Sequence, residues 1–385
     1  MSRPRLYADH NAAAPVLPEA LAAALEAAQA GGNPSSVHAE GREARRRVEA
    51  ARRAVADLAG VAPGSVIFTS GATEANATAL TPTATLAGRP LVFDRLLIGA
   101  TEHPSVTAGG RFDRERVETI AVDGDGLLRR DVLAARLAAI AAAGERALVS
   151  VQLANSETGV IQPIGAIAAL VHGLGGFLHC DAVQGAGRLP LDVPELDVDL
   201  MSLSAHKIGG LPGVGALVLR NPDLVPAALL GGGGQEANRR AGTQNTPGIV
   251  AFGVAAAVAR ANARDTGALR ARRDRLEDLL RSNSSNVKVL GAGAPRLANT
   301  SMVAVAGVSA ETAVIAFDLE GVAISAGSAC SSGKVGVSPV VAAMGLDRDT
   351  ARGALRLSIG RETSDGDVER LAEVWARVVG RMAGA

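Results

Sequence analysis

Short apolar runs punctuate the chain at Val66 to Thr69, Leu96 to Ala100, Ala147 to Ala154, Gly176 to Cys180, Val198 to Leu203 and Gly215 to Leu219. Helical or loop segments separate them, a pattern that predicts a mostly parallel sheet covered on both faces. Past Ala255 the organisation changes. A charged stretch predicts one long helix from about Ala256 to Ser282, followed by strands at Val287 to Leu290 and Ser301 to Val305, a helix, strands at Val322 to Ser325 and Ala354 to Ser358, and a final helix. The expected division is an N-terminal segment over residues 1–15, a large domain over 16–255, and a small α/β domain over 256–385. The run Gly231 to Gly234 reads equally as a linker or as a loop near a site.

With 385 residues, 48% of them hydrophobic, the chain can bury a large core and form two domains. Its formal net charge is zero, so nothing points to a nucleic-acid or membrane surface. Arg42, Arg45, Arg46, Arg47, Arg52 and Arg53 interleave with Glu40, Glu43 and Glu49 as on the solvated face of a helix. The first residues lack the apolar core of a signal peptide and no apolar run is long enough to span a bilayer, so the expected location is the cytoplasm. Two cysteines in so long a chain form no disulfide framework, which favours a reactive over a structural role for such residues.

Two groups stand at the ends of apolar runs, where sheets of this kind place chemistry. Asp181 lies in His179-Cys180-Asp181-Ala182-Val183-Gln184, and Lys207 ends Ser204-Ala205-His206-Lys207 ahead of Gly209-Gly210. A lysine able to form a Schiff base and a carboxylate able to keep a pyridine nitrogen protonated are what a pyridoxal phosphate enzyme most needs, because the ring stabilises a carbanion only while its nitrogen stays positive. A lone lysine is ordinarily a solvated surface residue; the strand-end position is what sets Lys207 apart. The turn Ser70-Gly71-Ala72-Thr73-Glu74 stands between a strand and a helix start, where backbone N–H groups and the helix dipole favour an anion and the Thr73 hydroxyl is in reach. The same turn also reads as an ordinary helix start. Ser204 and His206 are further phosphate donors, and His103 in Thr101-Glu102-His103-Pro104 has a ring suited to stacking and a pKa suited to moving protons.

Tyr7-Ala8-Asp9-His10-Asn11, Gly32-Asn33-Pro34-Ser35-Ser36-Val37-His38, Phe68 to Glu74, Thr101-Glu102-His103, Asn155-Ser156-Glu157-Thr158-Gly159, His179 to Gln184, Ser204 to Lys207, Arg240-Ala241-Gly242-Thr243 and Gly327-Ser328-Ala329-Cys330 follow one another along nearly the whole chain. In this order and spacing they resemble the NifS/IscS cysteine desulfurases of the class V aminotransferase superfamily. The resemblance implies a fold-type-I pyridoxal phosphate enzyme, α/β with a mostly parallel seven-stranded sheet in its large domain and a smaller α/β domain that the N-terminal segment 1–15 joins. It also implies a homodimer that converts L-cysteine to L-alanine and leaves the sulfur as a persulfide for an acceptor protein in iron-sulfur cluster or thiolation pathways.

Carried over by position, Lys207 resembles the imine lysine that also moves the Cα proton, Asp181 the pyridine-nitrogen partner, and Gln184 the donor to the phenolic oxygen. His103 resembles the stacking histidine that handles the thiol protons. Ala72, Thr73, Ser204 and His206 match the phosphate cradle, and Thr243 the threonine that reaches the phosphate of the neighbouring subunit. Asn155 resembles an asparagine near cofactor and substrate, Arg356 the arginine on the substrate carboxylate, and Cys330 the sulfur acceptor. The small polar neighbours of Cys330 suit a loop that carries a thiolate in and a persulfide out. Cys180 is expected to pack on the face of its strand opposite Asp181.

Two features depart from the family pattern. Ala12-Ala13-Ala14 stands where Ala-Thr-Thr is usual, and the chain stops at Ala385, short of the tail by which IscS-like members dock a cluster scaffold. The alternatives are a selenocysteine lyase or another class V lyase and, of a different kind, an idle sulfur-carrying or binding protein. Intact Lys207, Asp181 and Cys330 argue against the last.

Overall fold

The computed structural model describes residues 4–284, 286–327 and 338–383. Strands β1 (Val66–Thr69), β2 (Arg95–Gly99), β3 (Val117–Ile120), β4 (Ala147–Gln152), β5 (Phe177–Asp181), β6 (Leu200–Ser204) and β7 (Gly215–Leu219) form one sheet in the order β1-β7-β6-β5-β4-β2-β3. β7 runs antiparallel to both its neighbours and every other pairing is parallel. Successive residues alternate between two cores. Phe68, Leu97, Val149, Leu178, Met201 and Val218 pack with Val55 and Phe252 on one face, while Ile67, Leu96, Leu148, Leu200 and Leu217 pack with Leu80 and Val106 on the other. Burial of both faces is why the strands read as apolar runs with no alternation. β3 carries no such run, since it is an edge strand with Glu118 and Thr119 at its centre.

A second sheet contains β8 (Val287–Val289), β9 (Thr300–Val305), β10 (Ser325–Ala326) and β11 (Ala354–Ser358), antiparallel throughout in the order β8-β9-β11-β10. Its core gathers Trp375, Phe317, Val303, Leu355 and Leu357. Leu6–Tyr7 pairs in parallel with Val322–Ala323, and Asp9 bridges to Ser358, which leads the N-terminal segment along this sheet toward Asn11. The helix expected from Ala256 to Ser282 is two helices, Thr246–Asn262 and Gly267–Asn283. Arg361 donates to the Asn262 and Asp265 carbonyls at the break, and Asp265 Oδ1 accepts the Gly267 N–H at 3.3 Å, an Asx turn that redirects the chain. The first helix packs on Pro18–Ala30 and Ala39–Ala59, the second on Asp365–Ala383.

Arg52 departs from the expected solvated face. Its guanidinium is buried, pairs with both oxygens of Glu236 at 2.6 and 2.9 Å and lies over the Phe68 ring. That pairing pins the Gln235–Asn238 turn to the large sheet, so Gly231 to Gly234 lead into a packed loop and are no linker. Among the described residues no helix is long and apolar enough to cross a membrane.

Candidate active site

Gly215, at the start of β7, pairs with Thr69 on one side and Ser204 on the other. The turn that follows β1 and the turn that follows β6 therefore reach the same edge of the sheet. A Cβ on Gly215 would lie 2.5 Å from the Gly71 carbonyl carbon, so only glycine lets the Ser70–Thr73 turn close down on β7. A Cβ on Gly71 would meet nothing within 4 Å: the space over the turn is open. The helix Ala72–Ala79 begins there without a side-chain cap, and its first N–H groups, including those of Ala72 and Thr73, have no partner within the helix. Such a terminus accepts an anion.

Glu74 is a carboxylate beside that site, but its charge is matched. Arg240 donates to it at 2.8 and 3.2 Å and the Ser70 N–H at 2.8 Å. Burial raises its pKa, yet these bonds prevail and hold it below the ordinary range. On the other side Ser204 Oγ and His206 Nδ1 lie 2.9 Å apart. Burial, then the charge of Lys207, pushes His206 down to about 4, so at neutral pH it is an uncharged ring that can donate one hydrogen bond.

Asp181 ends β5 and is buried, with Oδ2 accepting from Asn76 Nδ2 at 2.9 Å and Oδ1 from the Val183 N–H at 3.1 Å. Asn76 Nδ2 also donates to Ser105 Oγ at 2.8 Å, and Ser105 Oγ lies 2.8 Å from His103 Nδ1, which accepts the Ser105 N–H at 3.1 Å. A hydrogen-bonded chain thus runs from Asp181 through Asn76 and Ser105 to His103. With Nδ1 accepting, the neutral imidazole carries its proton on Nε2. Burial lowers the His103 pKa, Asp181 works against this and Lys207 works with it, so all three groups share one field.

Lys207 closes the turn Ala205–Lys207 and its Nζ donates to the carbonyls of Asn11 at 2.6 Å and Ala12 at 2.8 Å. Gln184 Nε2 donates to the same Asn11 carbonyl at 3.0 Å while its Oε1 accepts from Arg188 at 2.7 Å. The Ala12-Ala13-Ala14 stretch is held through its backbone: besides Lys207, the Tyr7 hydroxyl donates to Ala13 O and Ala14 N–H to His206 O. Arg356, on β11, is buried, with Nη2 on Asp9 Oδ1 at 2.7 Å and Nη1 on Ser156 O at 3.2 Å. Its Nε is buried without a hydrogen-bond partner among the described residues, a donor left for a ligand. Asn155 spends Oδ1 on the N–H groups of Glu157 and Thr158 and Nδ2 on Thr101 O, so it braces the turn that carries Ser156 beside Arg356.

Thr243 is exposed on the loop that Arg240 fastens to Glu74. Cys330 lies outside the described residues. Cys180 is fully buried in the core, and burial reinforced by Asp181 and Glu102 drives its thiol pKa well above 9.0, which leaves it inert. No group of three or more side chains suited to hold a metal occurs among the described residues. Sequence reasoning missed Asn76, Ser105, Asn11 and the buried row Ser150-His179-Ser202, whose links are 2.8 and 2.9 Å. Asn11 and His179 stand inside motifs that carry the family resemblance, though no role was read for them, and Asn76 stands three positions after Thr73, hence on the same helix face.

The family model described as aminotransferase class V matches residues 6–371. A protein named cysteine desulfurase from Cereibacter sphaeroides is 41% identical over 98% of this chain and 96% of its own length. Among solved structures, a NifS-like protein from Rickettsia africae superposes with a TM-score of 0.86 at 28% identity, covering 98% of this chain and 99% of that one. A structure described as SspA in complex with cysteine gives 0.75 at 28% identity, over 92% and 98%. With its seven-stranded sheet, its strand-end lysine and aspartate, and this likeness along the whole length, the chain belongs to the aminotransferase class V family and stands among the cysteine desulfurases.

Proposed function

We propose that the protein is a pyridoxal phosphate-dependent cysteine desulfurase that converts L-cysteine to L-alanine and passes the sulfur to Cys330. The observation that carries the reading is the convergence of an open, uncapped helix start, a buried carboxylate and a lysine amine on one sheet edge. These residues fit the cofactor: N–H groups of Ala72 and Thr73 with Thr73, Ser204 and neutral His206 suit its phosphate, Asp181 its pyridine nitrogen, and Gln184 its phenolic oxygen. When bound, pyridoxal phosphate supplies the electron sink that makes the substrate Cα–H acidic.

The chain's own groups do the rest. Arg356 offers its unpartnered Nε to the substrate carboxylate, and Asn155 holds Ser156 against the same guanidinium. The Lys207 amine would take the substrate Cα proton and hold it for return. The Cys330 thiolate attacks the substrate sulfur, so that a sulfur–sulfur bond forms as the carbon–sulfur bond breaks and its electron pair stays with carbon. Protonation of that carbon yields alanine. His103, with its proton on Nε2, exchanges protons with the thiols. We place two copies in the working unit, with Thr243 of each facing the other's phosphate, and the persulfide handed to an acceptor protein for cluster assembly or thiolation in the cytoplasm.

The test is to incubate the pure holoenzyme with L-cysteine and a thiol and measure alanine and sulfide together. Equal amounts of both are expected. Cys330→Ser should stop sulfide release while the substrate Cα proton still exchanges with deuterated solvent. Absence of alanine from the unaltered enzyme overturns the reading.

A further inference from the structure

Gly327 and Ser338 flank the segment that carries Cys330, and both meet one side chain, Glu157. Ser338 Oγ lies 2.5 Å from Glu157 Oε2. The same hydroxyl accepts the N–H groups of Val340 and Val341 at 3.1 and 3.3 Å, which commits its own proton to the carboxyl. A Cβ on Gly327 would stand 3.2 Å from Glu157 Oε2, 3.3 Å from Ser338 Cβ and 2.5 Å from Met302 Cε, so the two flanks and the Glu157 carboxyl lie close together where Gly327 brings no side chain. Glu157 is in turn fixed from the substrate side. Its N–H bonds Asn155 Oδ1 at 2.9 Å, and the carbonyl of its neighbour Ser156 accepts from Arg356.

We infer that Glu157 is a clasp, a positioning residue that bonds the Ser338 flank of the Cys330 segment, and packs against the Gly327 flank, from the turn bearing the Arg356 site. The inference rests on the reading of Cys330 as sulfur acceptor. Sulfur transfer requires the attacking thiolate and the substrate sulfur in line, and Arg356 fixes the substrate while Glu157 fixes the ends of the segment that brings the thiolate. Since one short turn, Asn155 to Thr158, holds both, the two reactants share one reference frame. The groups proposed to move the Cα proton are held elsewhere: Asp181 by Asn76 and Val183, and Lys207 by Asn11 and Ala12.

The test is a single turnover of holoenzyme with L-cysteine, read in two ways: exchange of the substrate Cα proton with deuterated solvent, and added sulfur on the Cys330 peptide by mass spectrometry. Misplacing reactants by about 1 Å lowers a rate on the order of 100-fold, so Glu157→Ala and Ser338→Ala should slow sulfur transfer by roughly 10- to 100-fold. Proton exchange should stay within about twofold of the unaltered enzyme, as its groups are untouched. Glu157→Gln keeps an oxygen that accepts the Ser338 hydroxyl and should recover transfer to within about threefold. Transfer at the original rate in both alanine variants overturns the clasp, as does an equal loss of exchange and transfer. Ser338→Ala leaves the buried carboxyl in place and so decides the matter if Glu157→Ala fails to fold. Absence of sulfur on Cys330 in the unaltered enzyme overturns the acceptor reading itself and the clasp with it, whereas labelled Cys330 with indifferent variants overturns the clasp alone.

Discussion

Asp181 is buried, and its two oxygens are held by Asn76 Nδ2 and the Val183 N–H, which fixes the orientation of the carboxyl proposed to face the pyridine nitrogen. Asp181→Asn keeps the shape and one acceptor but removes the charge that, in the proposed reaction, would hold the pyridine proton. Turnover of L-cysteine should fall on the order of 100-fold or more, the scale of a lost proton-holding group, with the circular dichroism spectrum unchanged; full turnover removes Asp181 from its role. Glu157 titrates away from the ordinary carboxyl range. Burial pushes it up to about 7 against the opposing pull of the Ser338 hydroxyl and Arg356, from an ordinary 4.5. The charges facing it are Arg356 and, beyond, Asp9, which takes part of the guanidinium. Between 4.5 and about 7 the folded chain therefore holds a proton that the unfolded chain has lost, and stability present below 4.5 is given up as pH rises through about 7. Glu157→Gln has no such proton, so its denaturation midpoint should fall less across that window than that of the unaltered protein; parallel curves contradict the assignment. Residues at strand ends, such as Asp181 and Lys207, were visible as polar punctuation after apolar runs. Glu157 and Ser105 were not, because their meaning lies in partners 181 and 29 positions away.

Helix Ala39–Ala59, strand β1 and the loop that leads to Thr243 are joined by the Arg52–Glu236 pair. Arg52 also donates to Val66 O at 2.9 Å, and Glu236 accepts the Phe68 N–H at 3.0 Å and a bond from Gln244. Glu236, Ala237 and Asn238 all hold left-handed backbone, φ 49°, 55° and 66°, a geometry that costs side-chain-bearing residues on the order of 1 kcal/mol each and persists only where surroundings enforce it. Arg52→Ala leaves Glu236 buried and unpaired, and should cost about 3–5 kcal/mol in chemical denaturation. The double variant Arg52→Ala, Glu236→Gln should be less destabilised than the sum of the single changes by more than about 0.5 kcal/mol. Strict additivity shows that the two do not act as a pair. Elements buried on both faces were legible from apolar runs; the edge strand β3 and the helix break at Ala263–Thr266 were not, since the first is half solvated and the second is set by Arg361 from a distant turn.

At the scale of the molecule, the N-terminal segment is the tie between the two sheets. It pairs at Leu6–Tyr7 with Val322–Ala323, anchors Arg356 through Asp9, and presents the Asn11 and Ala12 carbonyls to Lys207. Contacts spanning more than 300 residues leave no trace in local pattern, and this one came only from the family resemblance. The same holds for the expected homodimer, in which symmetry makes each protomer both donor and recipient of Thr243. Thr243→Ala should weaken pyridoxal phosphate binding by roughly tenfold, the worth of one hydrogen bond to a charged group. Whether the threonine serves its own site or its partner's is decided by mixing subunits. Lys207→Ala protomers keep Thr243 but cannot form the imine, and Thr243→Ala protomers keep Lys207. In a mixed dimer the site with an intact lysine receives its threonine from the Lys207→Ala partner, so borohydride trapping on Lys207 should titrate with the unaltered cofactor affinity. If Thr243 acted within its own chain, every lysine-bearing site would show the tenfold loss whatever the partner, and the proposed arrangement of the dimer would fall.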